Sequence, residues 1–550
     1  MSNVWIMGAA CLALTLTSQA QCRFANSGKG QQLTYRFSVN DSPATPGLRV
    51  EMEFPVNGTG VMTLVLPTGY AGEQLHGVTD VHAISERATL EDGPDKGTLV
   101  LHAPAGGRAV ITYLLKKDWT GPLVNPLQFH AVVLPEYFEF TGSNSLVRPQ
   151  LEHGAIETAH FDWTKLPATW SIATSFGEST SSAGACQTVT GPWEQVEGGL
   201  YAGGDYRIHK FLIDGKPAVL AVRGNWTFTD DHAIEQIQKV VGTVREFWHD
   251  NNFPYFLVTL KPYDRDHGSS DGSQFTNSFW MYVSRLDSID NLLPQLAHES
   301  FHAWNPKMMG YLSDKSYGDL KWFKEGFTEY YAQRIMYGSG DLPLSRYIES
   351  INVDLHRFPD SKDEYVRGRI IALWLDAKIR QDSSGKRSLD DVMFRLVKDR
   401  KQPLTLNRVF ETIRPYVDSE AFDALKAAGS GTGDLAAPTQ IPLVGPCVHV
   451  LHQDFPTYDL GFDYPATQTS KAMAGVAESG PAFAAGLRDG QPVIGYSITK
   501  NNPDKMVRVT VHTDGKDNKI TYYPRGKAVL GWQYQINEAT PCEPLQLKRQ

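Results

Sequence analysis

The sequence lacks several features that would each mark a class of protein. Lys and Arg number 52 against 61 Asp and Glu, so the formal charge is -9 and no basic excess is available to neutralise nucleic-acid phosphates. No apolar run in the mature chain reaches the length of about 20 residues that a membrane-spanning helix needs. There is also no internal repeat and no low-complexity tract. We therefore predict neither a nucleic-acid partner nor a membrane span.

The first twenty residues lack Lys and Arg, which secretory signals usually carry. Residues 4–16 are nevertheless mainly apolar, and the run is too short to cross a membrane. Ser18 and Ala20 then offer small side chains at the two positions that a signal peptidase inspects. We predict a signal peptide over residues 1–20 and a secreted or periplasmic protein. The alternative is a buried N-terminal strand.

Cysteine is scarce, with five in 550 residues. Cys11 lies in the predicted signal peptide, so an even number remains, and none has the spacing of a metal site. Widely spaced cysteines in an exported chain suggest disulfides, and four cysteines allow three pairings. We favour Cys22 with Cys186 and Cys447 with Cys542, because each pair brackets one predicted region. Buried free thiols are the alternative in a cytosolic protein.

A chain of this length is too long for one hydrophobic core, so several domains are expected. Residues 21–206 contain short alternating runs separated by turn residues, which predicts an N-terminal β-sandwich without a long helix. Residues 207–430 form the next predicted domain, with a helix at 230–250, a strand at 255–260 and mostly helical periodicity from about 287 to 425, and small residues at 427–433 predict a linker. A β-rich segment follows at 440–540. The fold class is thus multidomain α+β.

Two histidines on one predicted helix, residues 292–304, form the first half of a metal motif. His298 and His302 are four residues apart and share a helix face, so both imidazoles can bind one cation. Glu299 is adjacent and can reach a water without binding the metal itself. A surface helix with solvated histidines is the alternative. The apolar flanks favour burial, and buried imidazoles need partners.

A second predicted helix, residues 319–337, supplies the other half. Glu325 and Glu329 are four apart on it, and two histidines with one carboxylate leave an open position on zinc for water. We predict Glu325 as the third ligand of one Zn²⁺ per chain, with Glu329 accepting a hydrogen bond from a ligand imidazole. Gly326 costs helix stability, which close approach of another helix at the metal would justify. Two solvated glutamates are the alternative.

Three stretches resemble the glycyl aminopeptidase family of gluzincin metallopeptidases: residues 298–307, 322–331 and 365–368. The resemblance implies a thermolysin-like catalytic domain between the β-sandwich and a C-terminal PDZ-like domain. It also implies that Glu325 binds zinc, that Glu329 supports a ligand, and that Tyr365 donates a hydrogen bond to the oxyanion formed in peptide hydrolysis. Without the resemblance, Tyr365 would be read as an aromatic at the start of a helix.

One stretch departs from the family. Where the family usually has Gly-Leu-Glu-His-x-Asn-Ser for amine recognition, this chain has Gly-Ser-Gln-Phe-Thr-Asn-Ser at residues 272–278. We predict that Gly272, Gln274 and Asn277 bind substrate. The neutral amide of Gln274 loses the charge-assisted hydrogen bond that a glutamate makes to an ammonium. We therefore hypothesise weakened aminopeptidase activity, or a preference for blocked or internal peptide bonds.

The β-rich C-terminal segment resembles a PDZ domain at residues 459–462 and 480–490. The resemblance implies that Leu460, Gly461 and Phe462 form a loop whose backbone N–H groups capture a peptide C-terminus, next to a strand that pairs with the peptide. The alternative is a domain that only packs on the catalytic unit.

Three functions follow from these features. Zinc-dependent peptide hydrolysis by an exported, aminopeptidase-like enzyme is favoured. A zinc hydrolase acting on blocked, internal or non-peptide bonds would use the same metal chemistry, whereas a non-catalytic PDZ-type peptide-binding protein would need no metal.

Overall fold

The computed structural model describes residues 22–24, 31–40, 42, 45–67, 76–123, 130–264, 270–358, 361–537 and 539–540. The predicted signal peptide and Cys542 lie outside these residues. The chain folds as two compact units, Met1–Gln238 with Asn251–Asn291, and Lys239–Asp250 with Leu292–Gln550. Within the described residues, no helix is long and apolar enough to cross a membrane.

The first unit consists mainly of strands, as the alternating sequence predicts. Its strands are β1 (Gln32–Asn40), β2 (Gly47–Pro55), β3 (Val61–Val65), β4 (Val78–Ala83), β5 (Thr89–Asp92), β6 (Thr98–His102), β7 (Arg108–Leu115), β8 (Val132–Val133), β9 (Tyr137–Thr141), β10 (Arg148–Pro149), β11 (Ile156–Lys165), β12 (Ser171–Thr174), β13 (Gly177–Ser179), β14 (Cys186–Pro192), β15 (Leu200–Gly204), β16 (Arg207–Ile213), β17 (Lys216–Val222), β18 (Phe256–Pro262), β19 (Ser270–Phe275) and β20 (Ser278–Val283). Its helices are α1 (Gly142–Ser145), α2 (Trp193–Glu197) and the start of α3 (Asp230–Trp248). The predicted absence of a long helix before residue 206 is confirmed over the described residues, since α1 and α2 have four and five residues.

Three sheets, rather than the two of a simple sandwich, share the core of the N-terminal part. Their strand orders are β14-β11-β1-β2-β7-β4, β10-β3-β6-β5 and β13-β12-β15-β9-β8. Val50, Leu64 and Phe138, one from each sheet, are buried in a single hydrophobic cluster. The predicted Cys22–Cys186 disulfide is confirmed, with an S–S distance of 2.01 Å. Cys447 is buried, and its predicted pairing with Cys542 stays a prediction because Cys542 is not described.

A fourth, five-stranded sheet in the first unit has the order β16-β17-β18-β20-β19. Strands β17, β18 and β20 are parallel neighbours, and β20 is buried along its whole length. Strand β19 lies at the edge and pairs with β20 alone, in antiparallel register. This edge carries Gly272 and Gln274, two of the three residues that were predicted to bind substrate.

Helices dominate the second unit up to residue 429. They are α4 (Leu293–Phe301), α5 (Asp314–Asp319), a π-helix (Trp322–Phe327) that continues into α6 (Thr328–Gly338), α7 (Leu344–Arg357), α8 (Glu364–Asp382), α9 (Leu389–Lys398), α10 (Leu406–Ile413) and α11 (Ser419–Gly429), with a 3₁₀ turn at Arg414–Tyr416. Another 3₁₀ turn, Ile289–Leu292, directly precedes α4. Helix α9 begins at Leu389 because Ser388 and Asp391 form a capping box there. The predicted linker begins later than expected: residues 427–429 continue α11, whose alanines favour helix.

The C-terminal module, defined here as residues 447–537, is β-rich as predicted. It contains β21 (Val448–Tyr458), α12 (Tyr464–Ser470), α13 (Pro481–Ala484), β22 (Val493–Ser497), β23 (Val507–Thr513), β24 (Lys516–Tyr522) and β25 (Arg525–Ile536). Strand β21 pairs with β25, and β22, β23 and β24 form a second sheet. Leu487, Val509 and Ala482 lie in its small core. The predicted domain boundaries at 206, 430 and 440 remain predictions.

Candidate metal centre

The centre starts from two histidines at the end of α4. The helix ends one residue before His302, but His302 keeps helical angles (φ -61°, ψ -16°), so it still lies one turn beyond His298. Both side chains are buried, and their Nε2 atoms are 3.0 Å apart. The predicted convergence of the two imidazoles on one point is therefore present.

Glu325 reaches the same point from the π-helix. Its Oε2 lies 3.5 Å from Nε2 of His298 and 3.3 Å from Nε2 of His302. Among the described residues, this is the only group of three His, Cys, Asp or Glu side chains whose ligand atoms all lie within 4.8 Å of one another. Two imidazole nitrogens and one carboxylate oxygen are the donor set of a catalytic zinc site, so these residues fit a zinc ion.

A contact between two glycines holds the π-helix against α8. A Cβ added to Gly326 would lie 2.2 Å from Cα of Gly368, and one added to Gly368 would lie 1.8 Å from the carbonyl oxygen of Trp322. Only glycine permits this approach, which is the reason predicted for Gly326. The contact places the start of α8, with Tyr365, beside the segment that carries Glu325. A π turn of this kind is frequent at functional sites.

Each histidine has a hydrogen-bond partner on the outer side of its ring. Nδ1 of His298 lies 3.0 Å from Oε2 of Glu329, and Nδ1 of His302 lies 2.8 Å from the carbonyl oxygen of Asn305. Since both partners accept, each Nδ1 carries a hydrogen, which leaves each Nε2, on the side of Glu325, as the atom that would bind a metal. Such outer partners fix the tautomer of metal-binding histidines. Glu329 therefore lies where it was predicted.

The charges around the histidines favour a cation. Burial opposes ionisation of the Glu325 and Glu329 carboxyl groups, but their interactions with the imidazoles favour the ionised form more strongly. The pKa of Glu325 therefore lies far below its usual range, and that of Glu329 falls to about 2. Burial also opposes a charged His298, yet hydrogen bonds with the two glutamates raise its pKa to about 10. Burial lowers the pKa of His302 to about 4. The same carboxylates that stabilise a proton on His298 would stabilise a metal cation in its place.

The two residues predicted to carry out chemistry flank the histidines. Glu299 follows His298 on α4 and is buried. The ring of Tyr365 stacks on that of His298 with centroids 5.9 Å apart, and Tyr365 is 42% exposed, so it is open to a substrate. The second unit therefore brings Glu299 and Tyr365 together with the three predicted ligands.

The residues predicted to bind substrate belong to the first unit. Gly272 and Gln274 lie on edge strand β19, opposite Met281 and Phe279 of β20. Asn277 occupies the turn between these strands with a φ of 49°, and its carbonyl accepts a hydrogen bond from Leu257. This gives Asn277 a backbone role in the turn. Substrate binding by Gly272, Gln274 and Asn277 remains a proposal.

The loop predicted to capture a peptide carboxylate has other contacts. The N–H of Gly461 donates to Oδ1 of Asp459, and the carbonyl of Leu460 accepts a hydrogen bond from Tyr522. Strand β21 ends at Tyr458, directly before the loop, and helix α12 follows the loop, capped by Asp463 through the N–H of Ala466. Peptide capture by this loop and an adjacent strand remains a proposal.

The sequence reasoning missed three side chains near the centre. Nζ of Lys324 lies 2.8 Å from Oε1 of Glu325, so the ligand carboxylate has one oxygen toward the histidines and the other toward an ammonium. Gln333 and Arg369 lie behind Glu329. Gln333 follows Glu329 by four residues, a spacing that could have indicated the contact. Nothing in the sequence indicated Arg369.

Known proteins can now be compared with this chain. Residues 291–374, which include every residue of the centre, match the family model for M61 glycyl aminopeptidase. A comparison with curated proteins gives no match. An aminopeptidase N family protein from Idiomarina loihiensis has a similar structure, with a TM-score of 0.66 and 17% identity over 92% of this chain and 98% of that chain. The structure of an M1 zinc metallopeptidase from Deinococcus radiodurans is also similar, with a TM-score of 0.50 and 14% identity over 75% of this chain and 96% of that chain.

These structural similarities show the fold, a multidomain α+β architecture similar to that of aminopeptidase N. The match to the family model falls on the segment whose motifs carried the sequence resemblance. The predicted resemblance to the glycyl aminopeptidase family of gluzincin peptidases is therefore confirmed.

Proposed function

We propose that this protein is a zinc-dependent peptidase in which His298, His302 and Glu325 hold one Zn²⁺. The observation that carries the proposal is the convergence of their three ligand atoms, each histidine being oriented by an outer partner. The family match supports peptide bonds as the substrate class. The zinc metallopeptidase from Deinococcus radiodurans, which has a similar fold, agrees with zinc as the metal.

Zinc in such a site supplies Lewis acidity, which polarises a carbonyl group and lowers the pKa of water. Glu299 acts as the general base that takes the proton from the attacking water, and it then returns this proton to the leaving amine. Its position next to His298, inside a buried centre, suits a carboxylate that moves a proton over a short distance. Glu329 holds the His298 ring in one orientation throughout.

Tyr365 stabilises the negative charge that develops on the former carbonyl oxygen. Its phenol is a neutral donor that lies over the His298 ring and is accessible from solvent. A donor prepared for an oxyanion contributes about 2.7–4 kcal/mol of transition-state stabilisation. Tyr365 thus complements the metal without binding it.

The position cleaved in the peptide is a further part of the proposal. Gln274 stands where the family usually has a glutamate for the substrate amine, and a neutral amide binds an ammonium more weakly than a carboxylate does. We propose weakened recognition of free N-termini, with cleavage of blocked or internal bonds as the alternative.

Export is supported by the Cys22–Cys186 disulfide, since such bonds persist in oxidising compartments. A PDZ-like role of the C-terminal module also remains a proposal.

The test is a digest of a peptide library whose members have matched free and acetylated N-termini. Wild type should contain stoichiometric zinc and cleave peptides, whereas Glu299→Gln should keep the zinc and lose about 10²–10⁴-fold in rate. Cleavage of free-amine glycyl peptides far faster than acetylated ones would refute weakened amine recognition. Stoichiometric zinc with cleavage of esters but no peptides would favour a non-peptide substrate. Protein purified without chelators that contains no zinc would favour a peptide-binding module.

A further inference from the structure

We propose that Gln333 and Arg369 are positioning residues for the metal ligand His298, and that helix α7 connects them to the C-terminal module. This inference rests on the proposed zinc site. It assigns the module a role in holding the centre, independent of any capture of peptide.

The first step leads from the metal ligand to Gln333. The Glu329 carboxylate uses Oε2 for Nδ1 of His298, while its Oε1 accepts a hydrogen bond from Nε2 of Gln333. The carboxylate is therefore held at both oxygens. Its rotation, and with it the orientation of the imidazole, depends on how firmly the amide of Gln333 is fixed.

The second step shows what fixes that amide. Oε1 of Gln333 accepts hydrogen bonds from Nη2 of Arg369 at 2.8 Å and from Oγ of Ser350. A guanidinium has donors only, so the amide must turn its oxygen toward Arg369 and its NH₂ toward Glu329. The reverse orientation would place donors against donors and the amide oxygen against a carboxylate. Arg369 thus determines which way Gln333 faces.

The third step connects Arg369 to α7. The guanidinium is buried, and its Nη1 donates to Oδ2 of Asp354 at 2.8 Å and to the carbonyl oxygen of Ser350 at 3.2 Å. Ser350 and Asp354 are four residues apart on α7 and share a face. A buried arginine needs such acceptors and a counter-charge. The position of α7 therefore sets the position of Arg369.

The opposite face of α7 contacts the C-terminal module. The amide of Asn352 makes two hydrogen bonds to the backbone of Tyr534 in β25, of 2.8 Å from Nδ2 to the carbonyl oxygen and 2.7 Å from the N–H to Oδ1. Glu349 accepts a hydrogen bond from Asn502 at 2.8 Å and pairs with Lys505 at 3.2 Å. A cavity of about 310 Å³ lies along this contact. One helix thus touches the module on one side and the network of Arg369 on the other.

A continuous path of hydrogen bonds and one rigid helix therefore runs from β25 to His298. Residues that orient metal ligands typically change metal affinity 10–100-fold when mutated. Gln333 lies one contact further out than Glu329 and Arg369 lies two, so the lower end of that range is expected for them. Loss of the Asn352 contact should have a smaller effect, because Glu349 still holds α7 to the module.

The first experiment measures zinc affinity of the full chain by competition with a chelator, together with the visible spectrum of the cobalt(II)-substituted protein. Arg369→Met should weaken zinc binding about 10-fold and change the cobalt spectrum, because His298 is no longer held in one orientation. The matched control is Arg380→Met, which removes another guanidinium from the same helix. That guanidinium pairs with Asp376 and not with Gln333. Gln333→Met serves as a second variant, should Arg369→Met not fold, and it should give the same direction of change.

The second experiment tests the link to the module. Asn352→Ala should weaken zinc binding roughly 3-fold, below the range for direct partners of metal ligands. Val509→Ala loosens the core of the module without touching α7 and should leave the zinc affinity unchanged. If Arg369→Met or Gln333→Met folds and its zinc affinity and cobalt spectrum are unchanged, the positioning role is overturned. If the zinc affinity of Asn352→Ala is unchanged, the link between α7 and the C-terminal module is overturned. If wild type binds no zinc, the proposed function itself fails, which is a separate result.

Discussion

Both units bury charged side chains, and the two clusters differ in whether their charges cancel. In the first unit, Lys261 of β18 and Glu139 of β9 form an ion pair with almost no exposed surface. Glu139 also accepts a hydrogen bond of 2.8 Å from Thr259, and the ammonium lies 4.2 Å from the ring centroid of Tyr282. Burial lowers the pKa of Lys261 to about 8, against the attraction of Glu139. One positive and one negative group complete this cluster without any ligand.

The centre in the second unit is built differently. Glu299, Glu325 and Glu329 surround two imidazoles that are neutral when they bind a metal, and Lys324 pairs with Glu325. The three carboxylates outnumber this ammonium, and the Nε2 atoms of both imidazoles face inward toward Glu325. A buried cluster with such an excess needs a cation, whereas a cluster whose charges cancel does not. Charge balance therefore distinguishes a buried structural ion pair from a buried candidate metal site.

The largest expected effect follows from breaking the second cluster. His302→Ala removes one of three ligands and should weaken zinc binding by more than about 100-fold, beyond the range for changes to outer partners. Peptidase activity should fall with the bound zinc. Both are measured by metal analysis and peptide cleavage after dialysis. His512→Ala is the control, since this histidine is exposed in the C-terminal module. Full zinc retention in His302→Ala would contradict the assignment of this ligand.

A second prediction separates charge stabilisation from metal binding within the same centre. Tyr365→Phe removes only the phenolic donor and should lower kcat about 10²–10³-fold while the zinc content stays at the wild-type value. Phenylalanine preserves the ring that stacks on His298. The measurement is steady-state kinetics on a cleavable peptide with zinc analysis of the same sample. A loss of zinc, or an unchanged kcat, would show that Tyr365 does not act on the oxyanion.

The cluster of the first unit should respond in stability instead of activity. Lys261→Met leaves the Glu139 carboxylate buried without its partner and should lower the free energy of unfolding by about 3–5 kcal/mol. The double variant with Glu139→Leu should recover much of that loss, because an apolar pair can replace a buried ion pair. Urea unfolding and zinc titration provide the two readings. A change in zinc affinity of the folded Lys261→Met protein would contradict the conclusion that this ion pair acts only on stability.

The smallest effect is expected from a partly exposed pair of the first unit. Two hydrogen bonds from Arg207, and one from His209, lower the pKa of Asp230 below its usual value against an opposing effect of burial. Its contribution to stability is therefore present above the unfolded pKa of about 3.9 and is lost as the pH falls through the lower folded pKa. The free energy of unfolding of wild type falls on acidification below about pH 4, and part of this fall comes from Asp230. In Asp230→Asn the fall should be smaller than in wild type, by less than about 1 kcal/mol. Thermal unfolding between pH 2 and 6 gives the measurement, and an unchanged pH profile would contradict it.

Local spacing predicted much of the metal centre. His298 and His302, like Glu325 and Glu329, are pairs four residues apart, and an α- or π-helix brings such pairs to one side. The bounds of α9 were predictable for a similar reason, since its capping box is local. The π-helix was not, because helix propensity does not distinguish a π turn from an α turn. It coincides with the Gly326–Gly368 contact, between residues that are distant in the chain.

Residues 298–368 were enough to predict the types of metal ligand, their order along the chain and the family resemblance. Which polar residues share a cluster could be seen only once the chain was folded. Lys261 pairs with Glu139 across 122 positions, and Arg369 reaches Gln333 across 36. The physical reason is that periodicity reports only neighbours within one element, while the partner of a buried charge is chosen by packing between elements.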